Sequence, residues 1–284
     1  MKLRIFTLIL LVILSSCKEA VKSDVQVFKA TDLNNANTVL LEAVMEDAFT
    51  PPVASRMYVY AHLAHYITLQ SLRNDSLKVI RSNINGLEKF KLPESEDVNP
   101  ELSALLAFSN TGKKLIYSEY YFEDLADSLK TKAIQLGLSE NVINNSEKYA
   151  SEISNLLSTW IDKDMYTETR TYPRFTSTKR PENWRETPPD YLSGLEPHWD
   201  KIRTMVIDSA DVFTYQSLPK YSTDENSDFY KMVDKVYQES KNTTDEKQKI
   251  AWFWDCNPIM TVHKGHMTTT IHKFTPPGHW LNII

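Results

Sequence analysis

The chain has 284 residues, 42% hydrophobic and 24% charged, with a formal net charge of −5 and a pI near 5.8. That balance argues against a nucleic-acid surface. Its six glycines, against a usual frequency of about seven per cent, are too few for a β fold or for Gly-rich phosphate loops. The length allows one large core or two modest ones.

The first residues predict a compartment. Met1-Lys2-Leu3-Arg4 is a short basic start, and Ile5 to Leu14 is an apolar run of about ten residues, too short to span a bilayer and suited to a signal peptide. Leu14-Ser15-Ser16-Cys17 matches a bacterial lipobox. Residues 1–16 are therefore expected to be removed, with Cys17 lipidated and residues 17–34 serving as a polar tether. The protein would sit in a bacterial cell envelope, on the periplasmic or outer-membrane side, with the membrane as partner through its lipid. Cys256 is then the one remaining cysteine. No intrachain disulfide can form, and the residue reads as a small buried hydrophobe.

From residue 35 to 284 the pattern predicts an all-α helical bundle. Leu40, Leu41, Val44, Met45 and Ala48 recur at helical spacing up to Thr50-Pro51-Pro52. The prolines suit the first turn of the next helix, which carries Val53, Met57, Tyr60, Ala64, Ile67 and Leu72 on one face. Ser76 to Ile84 reads as a short helix. Helical patterns follow over Glu101–Glu119 and Tyr120–Leu136, the second closed by Gly137 as a C-cap. The longest runs from Asn141 to about Asp162, with Ala150, Ile153, Leu156, Leu157, Trp160 and Ile161 as a core stripe. Tyr166 to Pro197 holds five prolines and reads as a long irregular excursion. Helices are expected again over His198–Val206, Asn226–Ser240, Thr243–Trp254 and Ile259–Lys273.

The stretch Lys249 to Ile284 concentrates the chemistry, with four of the seven histidines and three of the six tryptophans. Such density suggests the wall of a pocket, and Trp254, Asp255 and His279 are its candidate residues. On a helix, His263 and His266 would share a face and form a weak zinc pair with Asp255 nearby. A different reading drops catalysis for a membrane-tethered helical binding lipoprotein. In it Tyr172, Phe175, Trp184 and Tyr191 of the excursion, beside Arg170, Arg174, Arg180 and Arg185, receive an anionic or sugar ligand.

Four ordered blocks carry a family resemblance: Pro51-Pro52-Val53-Ala54-Ser55-Arg56; Arg180-Pro181-Glu182-Asn183-Trp184 leading to Pro188-Pro189-Asp190-Tyr191; Gly194-Leu195-Glu196-Pro197-His198-Trp199; and Ala251-Trp252-Phe253-Trp254-Asp255-Cys256-Asn257-Pro258. With Pro-Pro-Gly-His-Trp after them, they resemble the N-terminal half of bacterial vanadium-dependent haloperoxidase-like lipoproteins, in the type 2 phosphatidic acid phosphatase superfamily. The resemblance implies a helical bundle holding vanadate, or phosphate as substrate, between a lysine, arginines and a histidine. The reaction would be peroxide-dependent halide oxidation or phosphomonoester hydrolysis.

The signature of that family is Lys-x6-Arg-Pro, then Pro-Ser-Gly-His, then Ser-Arg-x5-His. Here the position seven before Arg180-Pro181 is Pro173, and Pro276-Pro277-Gly278-His279 lacks the serine. Ser55-Arg56-x5-His62 matches the third motif but precedes the others. The catalytic residues are therefore expected beyond Ile284. This portion is expected to bind no vanadate itself and to be inactive as it stands, with a missing C-terminal half as partner.

Overall fold

The computed structural model describes residues 28–73, 82–87, 90–188, 190–214, 217–258 and 260–283. Cys17, the signal peptide and most of the helix expected over Ser76–Ile84 lie outside them.

The architecture is helical. Five long helices come first: α1 (Ala30–Glu46), α2 (Pro51–Arg73), α3 (Pro100–Lys113), α4 (Tyr120–Gln135) and α5 (Glu140–Ile161). A single-turn helix α6 (Tyr166–Thr169) and a 3₁₀ turn at Trp199–Lys201 bracket the Pro-rich excursion. Helices α7 (Asp228–Lys241) and α8 (Asp245–Phe253), the strands β1 (Met260–Lys264) and β2 (Met267–Ile271), and α9 (Pro276–Ile283) complete it. Helix α1 begins at Ala30, within the stretch expected to be tether.

The bundle is built around α3, which packs on α1, α2, α4 and α5. Asn99 caps it by accepting a bond from the Leu102 amide at 2.8 Å, and Pro100 takes the first-turn position that needs no N–H. Residues 102–109 are all buried, so α3 has no solvent face over two turns. Its buried hydroxyls are each paired. Ser103 Oγ donates to the Asn99 carbonyl (2.9 Å), Ser109 Oγ to the Phe122 carbonyl of α4 (2.8 Å), and Thr111 Oγ1 to Ser154 Oγ of α5 (3.2 Å). Gly112 lets α4 approach, since a Cβ there would lie 2.4 Å from two Phe122 ring carbons.

The outer helices follow the expected stripes. Leu40, Leu41 and Val44 of α1, Val53, Met57, Tyr60, Ala64 and Ile67 of α2, and Ala150, Ile153, Leu157, Trp160 and Ile161 of α5 are buried, and Leu156 is half-buried. Gly137 (φ 84°) ends α4 as expected: its amide reaches the Ile134 carbonyl and that of Leu138 reaches Ala133, the pairing of a Schellman motif.

Three expectations are corrected. The helix read over Glu101–Glu119 stops at Lys113, because the Asp47 carboxylate takes the amides of Tyr117 and Ser118 into a turn at 2.7 and 3.2 Å. His198–Val206 forms only the 3₁₀ turn, because Asn85 holds the chain beyond it extended, through the Thr204, Met205 and Ile207 carbonyls. Ile259–Lys273 is a hairpin, not a helix. Its β-branched residues Thr261, Val262, Thr268, Thr269, Thr270 and Ile271 suit strands, and Gly265 (φ 60°) opens the two-residue turn between Lys264 and Met267.

Two predictions follow from the bundle. Gly112→Ala should overpack the Phe122 contact and lower unfolding free energy by about 1–3 kcal/mol in urea titration, an unchanged midpoint being the contrary result. On α2, His62 Nδ1–H donates to the Tyr58 carbonyl at 2.8 Å and its ring meets Phe108 edge-on at 5.1 Å. Burial depresses the pKa of His62; burial, then His62 and Arg73, push His65 down to about 4. Above pH ~6.5 these rings are neutral folded or unfolded. Below it the unfolded chain takes up protons that the fold refuses, so stability falls down to about pH 4. The urea midpoint should drop between pH 6.5 and 4, and drop less in His65→Gln.

Candidate functional site

The site with the most chemistry is assembled by α9. Thr275, 1% exposed, precedes Pro276 and Pro277, and its Oγ1 takes the Gly278 amide at 3.3 Å. This is a helix start with proline in the first turn. Thr275 Oγ1 also meets the Tyr58 hydroxyl at 3.2 Å, and burial pushes that phenol up to about 12, so it stays neutral. A Cβ on Gly278 would lie 2.7 Å from the same hydroxyl. Asn37 Nδ2 donates to the Leu281 carbonyl (3.2 Å), and His272 Nδ1–H to Met45 (2.9 Å). Together these fix α9 on α1 and α2.

From that base two side chains project onto the end of α8. His279 stacks on Trp254 (4.9 Å between ring centres, 30°) and meets Phe253 edge-on (4.9 Å, 83°), and Trp280 lies 5.2 Å from Trp254. Trp254 and His279, two of the three expected wall residues, are thus in contact. Asp255 pairs instead with Lys273, whose ammonium lies 4.9 Å from the Trp252 ring and holds the Asp255 carboxyl below its usual range. Cys256 is half-buried, not buried, and burial raises its thiol pKa, so it is not an activated nucleophile. The wall is open: Trp252, Phe253, Trp254 and Trp280 are 61, 57, 44 and 59% exposed.

The zinc pair loses its geometric basis. His263 stands opposite Thr268 in the hairpin and His266 occupies the turn, so no helical face joins them. Among the described residues no group of three His, Cys, Asp or Glu is placed to hold a metal ion.

The early Ser55-Arg56-x5-His62 match is structural. Ser55 Oγ donates to the Pro52 carbonyl at 2.6 Å, and His62 is spent on Tyr58 and Phe108. Arg56 Nε meets Asp164 at 2.5 Å, with side chains 9 and 1% exposed, and its guanidinium lies over Tyr60 and Tyr166. Asp164 also accepts from the Tyr60 hydroxyl (2.7 Å) and the Tyr166 amide (2.9 Å). Arg203 completes the knot: its amide reaches the Asp164 carbonyl, Nη1 reaches Trp160, and its guanidinium lies 3.8 Å from the Trp160 ring centre. These residues hold the excursion to α2 and α5; the sequence does not reveal the network because Arg56 and Tyr60 lie more than a hundred positions before Asp164, and Arg203 about forty after it.

The groups on the α8–α9 wall and in the Ser55-Arg56-x5-His62 segment do not fit vanadate. A compact oxyanion needs several fixed donors free to converge on it. Here Lys273 is spent on Asp255, Arg56 on Asp164, and no serine stands in the Pro-Pro-Gly-His turn.

No protein-family profile and no curated protein matches the chain. Among solved structures, it is similar to one described as the crystal structure of the first bacterial vanadium-dependent iodoperoxidase, with 35% identity and a TM-score of 0.76. The match covers 88% of this chain, which spans 59% of that one.

Removing the carboxylate from the Arg56 knot leaves a buried cation unpaired. Asp164→Ala should cost about 3–5 kcal/mol in urea unfolding, and a loss under about 1 kcal/mol would contradict this reading.

Proposed function

We infer function from one premise: the chain is vanadium haloperoxidase-like in fold, and it covers about three fifths of the iodoperoxidase it matches. It is the N-terminal scaffold of a haloperoxidase of the same kind. The parent reaction is oxidation of a halide by hydrogen peroxide, iodide by analogy with that neighbour, one proton being consumed to give hypohalous acid and water. This portion supplies the helical base and one aromatic wall. The vanadate-binding cations and histidine come on a further polypeptide segment, contiguous or separate, that packs against it. The Leu14-Ser15-Ser16-Cys17 lipobox supports anchoring of the assembly to a bacterial envelope membrane. Among the described residues no helix is long and apolar enough to cross a membrane.

The observation that carries this reading is the uncovered face next to α9. Helices α7 and α8 have no buried residue. On α7, Met232, Val233, Val236 and Tyr237 are 58, 52, 71 and 54% exposed, and on the α8–α9 wall Trp254 and Trp280 are 44 and 59% exposed; large apolar side chains left to water in this number point to an interaction surface. Their stripe is regular enough for a helix partner, and additional helical chain of the kind the longer neighbour carries would bury it.

The test is triiodide formation from iodide and hydrogen peroxide, with and without added orthovanadate. The chain alone should give no rate above the buffer blank. Co-expressed with a segment carrying Lys-x6-Arg-Pro, Pro-Ser-Gly-His and Ser-Arg-x5-His, it should become active in a vanadate-dependent manner, and the emission of Trp252, Trp254 and Trp280 should shift to shorter wavelength. Vanadate-dependent activity of the chain alone would overturn the assignment.

A further inference from the structure

Apart from the α8–α9 wall, the excursion forms a cleft of about 350 Å³ between residues 169–175 and 193–198. This is at the small end of the range for small-molecule sites. Its two sides are held together from below. Arg170 makes a two-pronged ion pair with Glu196, whose side chain is 8% exposed and which also receives Thr50 Oγ1 at 3.5 Å. His198 Nε2–H donates to the Pro173 carbonyl at 2.7 Å, and its ring meets Tyr172 edge-on at 5.2 Å. Gly194 brings the second side against Phe175, because a Cβ there would lie 2.9 Å from that ring. Glu196 keeps φ at 48° in this arrangement, a backbone that a non-glycine residue holds only where its surroundings impose it. The cleft is thus set before any ligand arrives.

Its chemistry is one-sided. The Glu196 charge is neutralised by Arg170, and the one other charged residue lining the cleft is Arg174. The lining therefore carries a net positive charge on a chain whose total is −5. Tyr172 and Phe175 are 37 and 42% exposed, and Trp184 braces Phe175 from the side at 5.4 Å. An arginine and two partly exposed aromatic residues in one lining, with no free carboxylate, suit a flat or ring-shaped molecule carrying one acidic group. We propose that this cleft binds a small ring compound bearing a carboxylate, an aryl acid or a sugar acid, with Arg174 holding the carboxylate and Phe175 and Tyr172 the ring. Of the four aromatic contacts expected from sequence, Tyr172 and Phe175 line the cleft, Trp184 buttresses it and Tyr191 is outside it. The inference does not depend on the haloperoxidase reading.

The experiment is titration calorimetry on the whole chain with benzoate, glucuronate, benzyl alcohol and inorganic phosphate. At least one ring acid should bind saturably, and whichever is tighter tells an aryl from a sugar source. Benzyl alcohol and phosphate should each bind tenfold or more weakly. Arg174→Gln and Phe175→Ala should weaken the ring acid about tenfold each, and Arg185→Gln, on the same excursion but outside the cleft, should leave it unchanged. Arg174 is exposed, so its variant should fold, which an unchanged far-UV spectrum and melting temperature would establish. No saturable binding by either ring acid, phosphate as tight as the ring acids, or equal affinity in Arg174→Gln would overturn the proposal.

Discussion

A helix with no face left for water holds its place only when others surround it, and α3 imposes that condition on this bundle. Its residues 102–109 are buried without a break, so neighbours are required on every side, and α1, α2, α4 and α5 provide them. The hydrophobic effect supplies the drive but no orientation. Orientation comes from three polar groups on or beside α3 whose acceptors lie on other elements: Ser109 on α4, Thr111 on α5, and the Asn99 amide on Ser146 of α5 at 2.9 Å. An unpaired hydroxyl in this interior would cost free energy, so these bonds select one rotation of each neighbour. Gly112 then sets how near α4 can come.

Outside this frame the chain is organised differently. The Arg56–Asp164 knot, with Arg203 stacked on Trp160, fastens the long Pro-rich segment to α2 and α5 by charge and hydrogen bonds. Past it, α7 and α8 contribute nothing to the core, and α8 is tied to the bundle by ring contacts with α9. The architecture thus grades from a closed core to an open aromatic platform. That platform is fixed at its base by Thr275 and Gly278 and exposed at Trp254 and Trp280.

The sequence made the closed part legible because burial on one face repeats at three and four residues. Leu40, Leu41 and Val44, or Ile153, Leu157 and Trp160, declare their helices and the faces those helices bury. Gly137 declared its cap for the same local reason. What escaped depends on distant partners or on weak local preference. Asp164 is an unremarkable acid until Arg56 is folded against it, and Thr275 is only a residue before two prolines until Tyr58 arrives. The segment from Met260 to Ile271 was misread because a short run of apolar and threonine residues fits either a helix or a strand; its β-branched content and the Gly265 turn were the available signal. The histidines of that run looked paired only on the wrong secondary structure. The contact between Trp254 and His279 is legible because aromatic and titratable groups crowd one short stretch, although nothing in that stretch tells that Asp255 turns to Lys273.

If the closed bundle carries an uncovered face that further chain covers, amide hydrogen exchange along the intact protein shows it, since exchange reports local opening. Helices α2, α3 and α5 should then be protected to near the global unfolding free energy, and α7 and α8 should exchange at least a hundredfold faster, gaining protection when the motif-bearing segment is added. Protection of α7 and α8 equal to that of α3 in the chain alone would rule the idea out, because those helices would then need no further partner.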